Sequence, residues 1–143
     1  MKKTKSCNYY DLSRNYPALK HFTSSEFDSP DDEGSGQNMC PKFLQMLDEA
    51  REQAGVPFVI TSGYRTPKHN TSVGGVKNSS HINIPCNAVD IAVKDGRHRF
   101  LILVSLMSVG FTRFGIGKTF IHVDADEPKY CGEKSPNTIW TYY

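Results

Sequence analysis

Apolar and polar residues recur along this chain at two different periods, and the changes of period divide it into elements. Phe43, Leu44, Leu47, Ala50 and Ala54 follow one another at helical spacing. Pro41 stands at the first turn, where its missing N–H costs nothing, and Gly55 follows as a stop. The spacing predicts a helix over 41–54. Val56 to Thr61 is short and β-branched, a strand that ends at Ser62-Gly63. Ala88 to Val93 reads as a second strand. Thr112 to Ile116 and Thr119 to Val123, joined through Gly117-Lys118, read as a hairpin. The apolar run from Arg97 to Val109, between Asp95-Gly96 and Gly110, predicts a buried helix.

The intervening stretches are turn-rich. Tyr64 to Asn87 holds Thr66-Pro67, Gly74-Gly75 and Asn78-Ser79-Ser80, and so predicts an ordered loop. Loops of that length inside a compact domain are usually functional. Residues 1–38 are polar around a short apolar element at Phe22 and Phe27, and they end in the acidic run Asp28 to Gly36. That run lacks the ligand spacing of an EF-hand and reads as a solvated acidic loop. The tail from Asp124 to Tyr143 reads as irregular, with Trp140, Tyr142 and Tyr143 packing back on the domain. Residues 1–20 form an N-terminal docking segment and 21–143 a single domain. Two helices and about four strands with a hairpin indicate an α+β fold, an antiparallel sheet with flanking helices.

Composition narrows the function classes. A chain of 143 residues supports one core. A formal net charge of +2, with its lysines and arginines scattered, gives no footprint for nucleic acid, although a mildly basic surface suits an acidic polymer such as a bacterial wall. Met1-Lys2-Lys3 begins like a signal peptide, but residues 8–20 contain no apolar core. The run from Phe100 to Val109 is too short to span a bilayer. A soluble monomer without a signal peptide is expected. Cys7, Cys40, Cys86 and Cys131 include no C-x-x-C pair, and without a secretion signal reduced thiols are expected.

The chemistry lies in three residues. His81 is in the loop, Asp90 interrupts the second strand, and His122 interrupts the last one, within Phe120-Ile121-His122-Val123-Asp124. Two imidazoles and a carboxylate suit zinc, and the same types also bind iron or manganese. Structural zinc sites are usually closed by four protein ligands, whereas catalytic sites keep three and leave a position for water. The alternative is three unrelated polar residues, disfavoured because unpaired charges in apolar strands are costly. Cys86, between the first two ligands, is either a packing residue or a further ligand. Asp124 shares a strand face with His122. Arg65 ends the first strand's turn, where a guanidinium can hold a carboxylate or a developing oxyanion, or can simply face solvent. His21, His69 and His98 read as surface residues, with His69 the one placed to touch a substrate.

The segments Ser62-Gly63-Tyr64-Arg65-Thr66, Ser79-x-His81 with Ala88-x-Asp90, and Phe120 to Asp124 resemble the zinc D-alanyl-D-alanine carboxypeptidase family. Ser25-Glu26-Phe27 and Val73-Gly74-Gly75 are most similar to its small phage-encoded members. The resemblance covers roughly residues 20–143 and implies the fold shared with hedgehog domains. The family motif S-x-H-x-x-G-x-A-x-D falls on Ser79, His81, Ala88 and Asp90, but here His81 and Asp90 stand further apart and the glycine is missing. The family's last metal ligand corresponds to His122. The acid or histidine that often precedes it is replaced by Thr119 and Phe120. The resemblance thus implies one zinc per chain on His81, Asp90 and His122, with Ser79 orienting a ligand. Asp124 is then the general base, and Arg65 the catalytic and substrate-binding cation. The implied substrate is the peptide stem of bacterial peptidoglycan, cut at a D-Ala-D-Ala terminus or, as in endolysins, internally. The protein would remain in the host cytoplasm until release, or act at the wall. The hedgehog relation leaves a second reading, a zinc-stabilised binding module without catalysis.

Overall fold

The computed structural model describes residues 18–143. The docking segment expected over 1–20 lies almost wholly outside the described residues. Helix α1 spans Pro41–Ala54 and ends at Gly55, whose left-handed φ of 67° lets its N–H close on the Arg51 carbonyl. Its face of Phe43, Leu44, Met46, Leu47 and Ala50 is buried. A short strand β1 (Ile60–Ser62) follows, then helix α2 (Pro67–Ser72), strand β2 (Ala88–Ala92) and helix α3 (Gly96–Ser108). Strands β3 (Arg113–Ile116), β4 (Phe120–Asp124) and β5 (Thr138–Thr141) complete the chain.

The fold is α+β. One sheet has the order β1-β2-β4-β3-β5, antiparallel throughout except for the parallel pair β3–β5. The tail read as irregular therefore supplies an edge strand. It can do so because the segment 125–137 crosses back before pairing, with the Thr138 N–H on the Thr112 carbonyl. One face of the sheet is apolar: Val89, Ile91, Phe114, Ile121 and Val123 are buried in one cluster with α1, Ile102 and Leu106 of α3, and Phe111. Helix α3 is started by the Asp95 carboxylate, which accepts the His98 N–H at 2.8 Å. It is less buried than its composition suggests. Phe100, Val104 and Met107 are exposed, because only the side carrying Ile102, Ser105 and Leu106 meets the core. His98, read as a surface residue, is buried instead, with Nε2 on the Pro57 carbonyl and Nδ1 accepting the Lys94 N–H.

The long segment after β1 is more ordered than a loop. Thr66 caps α2, a 3-10 turn covers Ser80–Ile82, and a cis Ile84–Pro85 bond precedes Cys86. Paired backbone bonds between Cys40 and Cys86 and between Cys86 and Asn38 tie its end to the start of α1. The acidic run is likewise built in, since the Asp28 carboxylate accepts the N–H groups of Gly34 and Gly36. Cys40 and Cys86 are both buried, and Cys86 is a thiol. Burial pushes the Cys86 thiol up to about 12. Cys131 corrects the expectation of reduced thiols: it is disulfide-bonded. It can pair because it lies in a half-buried turn after Pro128–Tyr130, not in the core.

Candidate metal centre

The face of the sheet opposite the core is polar, and strand register lays its side chains out in rows. Ser62 is opposite Asp90, Asp90 opposite His122, His122 opposite Gly115, and Gly115 opposite Trp140. The next row holds Ala88, Asp124, Arg113 and Thr138. His81 enters from the 3-10 turn above the sheet. Its turn is positioned by Ser79, whose hydroxyl accepts the His81 N–H, and by the Arg65 N–H on the His81 carbonyl at 2.9 Å.

His81 Nε2, Asp90 Oδ1 and His122 Nδ1 converge. The two nitrogens are 3.3 Å apart, and the carboxylate oxygen lies 3.4 Å from His81 Nε2 and 2.9 Å from His122 Nδ1. Among the described residues this is the one group of three or more His, Cys, Asp or Glu side chains placed to hold a metal. The outer nitrogens decide what the inner ones offer. His81 Nδ1 is 2.7 Å from the Gly63 carbonyl, which can only accept, so Nδ1 carries the proton and Nε2 presents a lone pair. His122 Nε2 donates to Asp124 Oδ2 at 2.7 Å, leaving Nδ1 as the inward nitrogen. Two lone pairs and a carboxylate oxygen pointing at one another repel unless a cation lies between them. A tetrahedral zinc with bonds of about 2.0–2.1 Å holds its ligands roughly 3.3–3.4 Å apart, which two sides of this triangle match, while the Asp90–His122 side at 2.9 Å is a direct hydrogen bond that an ion would open.

Electrostatics lead to the same conclusion. Burial disfavours the His122 imidazolium, but its hydrogen bonds to the Asp124 and Asp90 carboxylates outweigh it and raise the group to about 9. Without metal, a proton thus occupies the place a cation would take. Burial keeps His81 below its usual value despite Asp90. Burial raises Asp90 and Asp124, yet their histidine partners dominate: Asp90 is lowered, and Asp124 falls to about 2.

Arg65 is close by but engaged. Nη2 donates to Asp90 Oδ2 at 3.2 Å, Nε to Ser62 Oγ at 2.8 Å, and Nη1 to Asn70 Oδ1 at 3.1 Å. Three of its five N–H groups are so used, which leaves two for a ligand. Asn70 can reach it because Gly75 has no side chain; a Cβ there would lie 2.0 Å from Asn70 Oδ1. Asp124 lines the cleft, but its carboxylate is engaged on both oxygens rather than held free for a water. It is 1% exposed, and one oxygen is on the outer nitrogen of His122 while the other accepts from Arg113 Nε at 2.7 Å and the Asp126 N–H at 3.0 Å. One strand step carries it past the imidazole, not toward the ligand triangle. Ser79 supports the His81 backbone rather than a ligand side chain. His69 lies in α2 and does not line the cleft.

The triangle opens into a cleft of about 480 Å³ whose wall includes Arg65, Val76, Ser79, Lys134, Trp140 and Tyr142. Sequence reasoning passed over Arg113, Asn70 and Trp140 as parts of this site. The alternation of β3 carried a signal, because Arg113 and Gly115 fall on the same face as their partners Asp124 and His122. An open cleft over two imidazoles and a carboxylate defines a metal-dependent hydrolase class of site. The chain belongs to the peptidase M15 family, a family of zinc metallopeptidases, whose model matches residues 20–124. It is accordingly a peptidase, and all three converging residues lie within the matched segment. No curated protein matches the chain.

Proposed function

We propose that this protein is a zinc peptidase that hydrolyses peptide bonds in the stem of bacterial peptidoglycan, at a D-Ala-D-Ala terminus or internally, in the manner of phage endolysins. The observation that carries the reading is the triangle of His81 Nε2, Asp90 Oδ1 and His122 Nδ1, with both imidazole tautomers set by outer hydrogen bonds and an open cleft beside it. When bound, zinc would supply Lewis acidity, acidifying a water and polarising the scissile carbonyl.

The chain's own residues divide the remaining work. His81, Asp90 and His122 would hold the ion. Asp124 keeps His122 in the tautomer that offers Nδ1 and raises its basicity, and Arg113 holds Asp124 in turn. Arg65 keeps Asp90 Oδ2 turned away from the ligand triangle, so that Oδ1 alone is offered. Its two remaining N–H groups face the cleft as donors for a substrate carboxylate or the carbonyl oxygen. Among the described residues no helix is long and apolar enough to cross a membrane.

Zymography on purified cell walls tests the reading. The zinc-loaded protein should clear the substrate, chelator should abolish clearing, and added zinc should restore it. Clearing that survives exhaustive chelation would contradict the metal-dependent mechanism. Binding of wall fragments with no cleavage under any metal loading would favour the non-catalytic module.

A further inference from the structure

Beyond the segment matched by the family, β5 brings two aromatic side chains onto the functional face. Trp140 occupies the row of Asp90, His122 and Gly115, and Tyr142 follows two residues later on the same side. The Trp140 ring centroid is 5.6 Å from that of His122, and the Arg113 guanidinium lies 5.0 Å from the indole centroid. The Tyr142 ring packs on Phe120 at 5.2 Å. Both rings lean across Gly115, where a Cβ would come within 2.6 Å of Trp140 Nε1 and Tyr142 Cε2. A glycine weakens a strand, and here it opens the space through which β5 reaches the metal ligands. Both aromatic residues line the cleft.

The two rings meet edge to face, with centroids 6.4 Å apart. A phenol carries one O–H donor. No acceptor among the described residues takes the Tyr142 phenol proton, and Tyr142 is exposed at the cleft. The two carboxylates lining the cleft, Asp90 and Asp124, are already engaged with His122, Arg65 and Arg113. Thr119 and Phe120, just ahead of His122, carry neither acid nor imidazole. On the side opposite β1, where Arg65 sits, the cleft therefore presents the Tyr142 phenol as an uncharged donor to a substrate.

We infer that Tyr142, packed against Trp140 at the cleft wall, is a catalytic residue whose phenol O–H donates a hydrogen bond to the carbonyl oxygen of the scissile amide. The inference rests on the peptidase reading above. Water adds to the carbonyl carbon, the C=O π pair moves onto oxygen, and that oxygen, now anionic, shortens its bond to the phenol. The pair then re-forms the carbonyl as the C–N bond breaks and the amine leaves with a proton from the attacking water. Tyr142 keeps its own proton throughout. Removing one oxyanion donor typically costs about 10²–10³ in kcat, so the effect is large enough to measure.

The test is Tyr142→Phe, which keeps the ring packing and removes only the hydroxyl. On wall peptides, kcat should fall at least about tenfold with KM within about twofold, while zinc content and Tm stay at wild-type values. Affinity for a phosphinate analogue of D-Ala-D-Ala, a tetrahedral mimic, should weaken by a similar factor, whereas affinity for a product peptide should not change. Trp140→Phe should reproduce the same split to a smaller degree. Wild-type kcat and phosphinate affinity in Tyr142→Phe would overturn the inference and leave the peptidase reading standing. Loss of zinc or of the folded state in that variant would make Tyr142 a structural residue. A wild-type protein that cleaves no wall peptide would overturn both.

Discussion

Asp124 and Asp90 are both aspartates on neighbouring strands of one face, yet they do different work. Asp90 points an oxygen into the ligand triangle and gives the other to Arg65. Asp124, one row along, is closed in between His122 and Arg113. The substitution Asp124→Asn separates support of a ligand from general-base catalysis. A lost base would leave zinc affinity intact and remove turnover alone. The geometry predicts instead that zinc affinity, measured by competition with a chelator, drops about 10- to 100-fold, the usual cost of losing an outer carboxylate partner. Stability should fall as well, because Arg113 is buried and loses its counter-charge. Unaltered zinc affinity with abolished hydrolysis would return Asp124 to the role of base.

At the scale of elements, the site depends on how five short strands line up. β2 and β4 hold two of the proposed ligands, Asp90 and His122, in direct register, β1 and its following turn bring Arg65 and the Gly63 carbonyl, and β5 closes the aromatic wall. Gly115 in β3 is the position at which these strands communicate. Gly115→Ala forces the Trp140 and Tyr142 rings off the sheet, a repacking that should cost about 1–3 kcal/mol. Trp140 is the single tryptophan, so its fluorescence reports the displacement directly. A spectrum and Tm identical to wild type would mean that β5 does not lie across this position. The exposed Phe100, Val104 and Met107 on α3 lie on a different part of the molecule and take no part in the cleft.

For the whole molecule, the site couples stability to pH and to metal. His122 has a raised value, so its contribution to the metal-free fold is full below the ordinary 6.5 and is lost as pH rises through about 9. Asp124 has a lowered value, so its contribution is present above the ordinary 3.8 and is lost as pH falls through about 2. The metal-free protein should therefore show its highest Tm between about pH 4 and 6.5, with decline on both sides. Zinc replaces the proton on His122 Nδ1, so the gain in Tm on adding zinc should be greater at pH 8.5 than at pH 6. Calorimetry with and without chelator measures both. An equal gain at the two pH values would place the ion elsewhere.

The readable parts of the chain are those whose cause is local. Helix α1 follows from apolar spacing, Pro41 and Gly55, all within fifteen residues of one another in sequence. The residue types at His81, Asp90 and His122 indicate metal chemistry because the latter two interrupt apolar strands and the first adds an imidazole from the loop between strands, and the family match over 20–124 agrees with the resemblance those motifs carried. Other features required the fold. A period of two tells which face of β4 Asp124 occupies, but only the pairing with β2 shows that the inward nitrogen of His122 is Nδ1 and that Asp124 meets the outer one. The apolar run of α3 does not reveal which of its sides finds a partner. β5 is made of strand-favouring Thr138, Ile139, Trp140 and Thr141, but its parallel pairing with β3 joins residues more than twenty positions apart and is not legible locally. Composition and period act along the chain. Register, tautomer and the meeting of Trp140 with His122 act across it, and those were decided only when distant segments packed against one another.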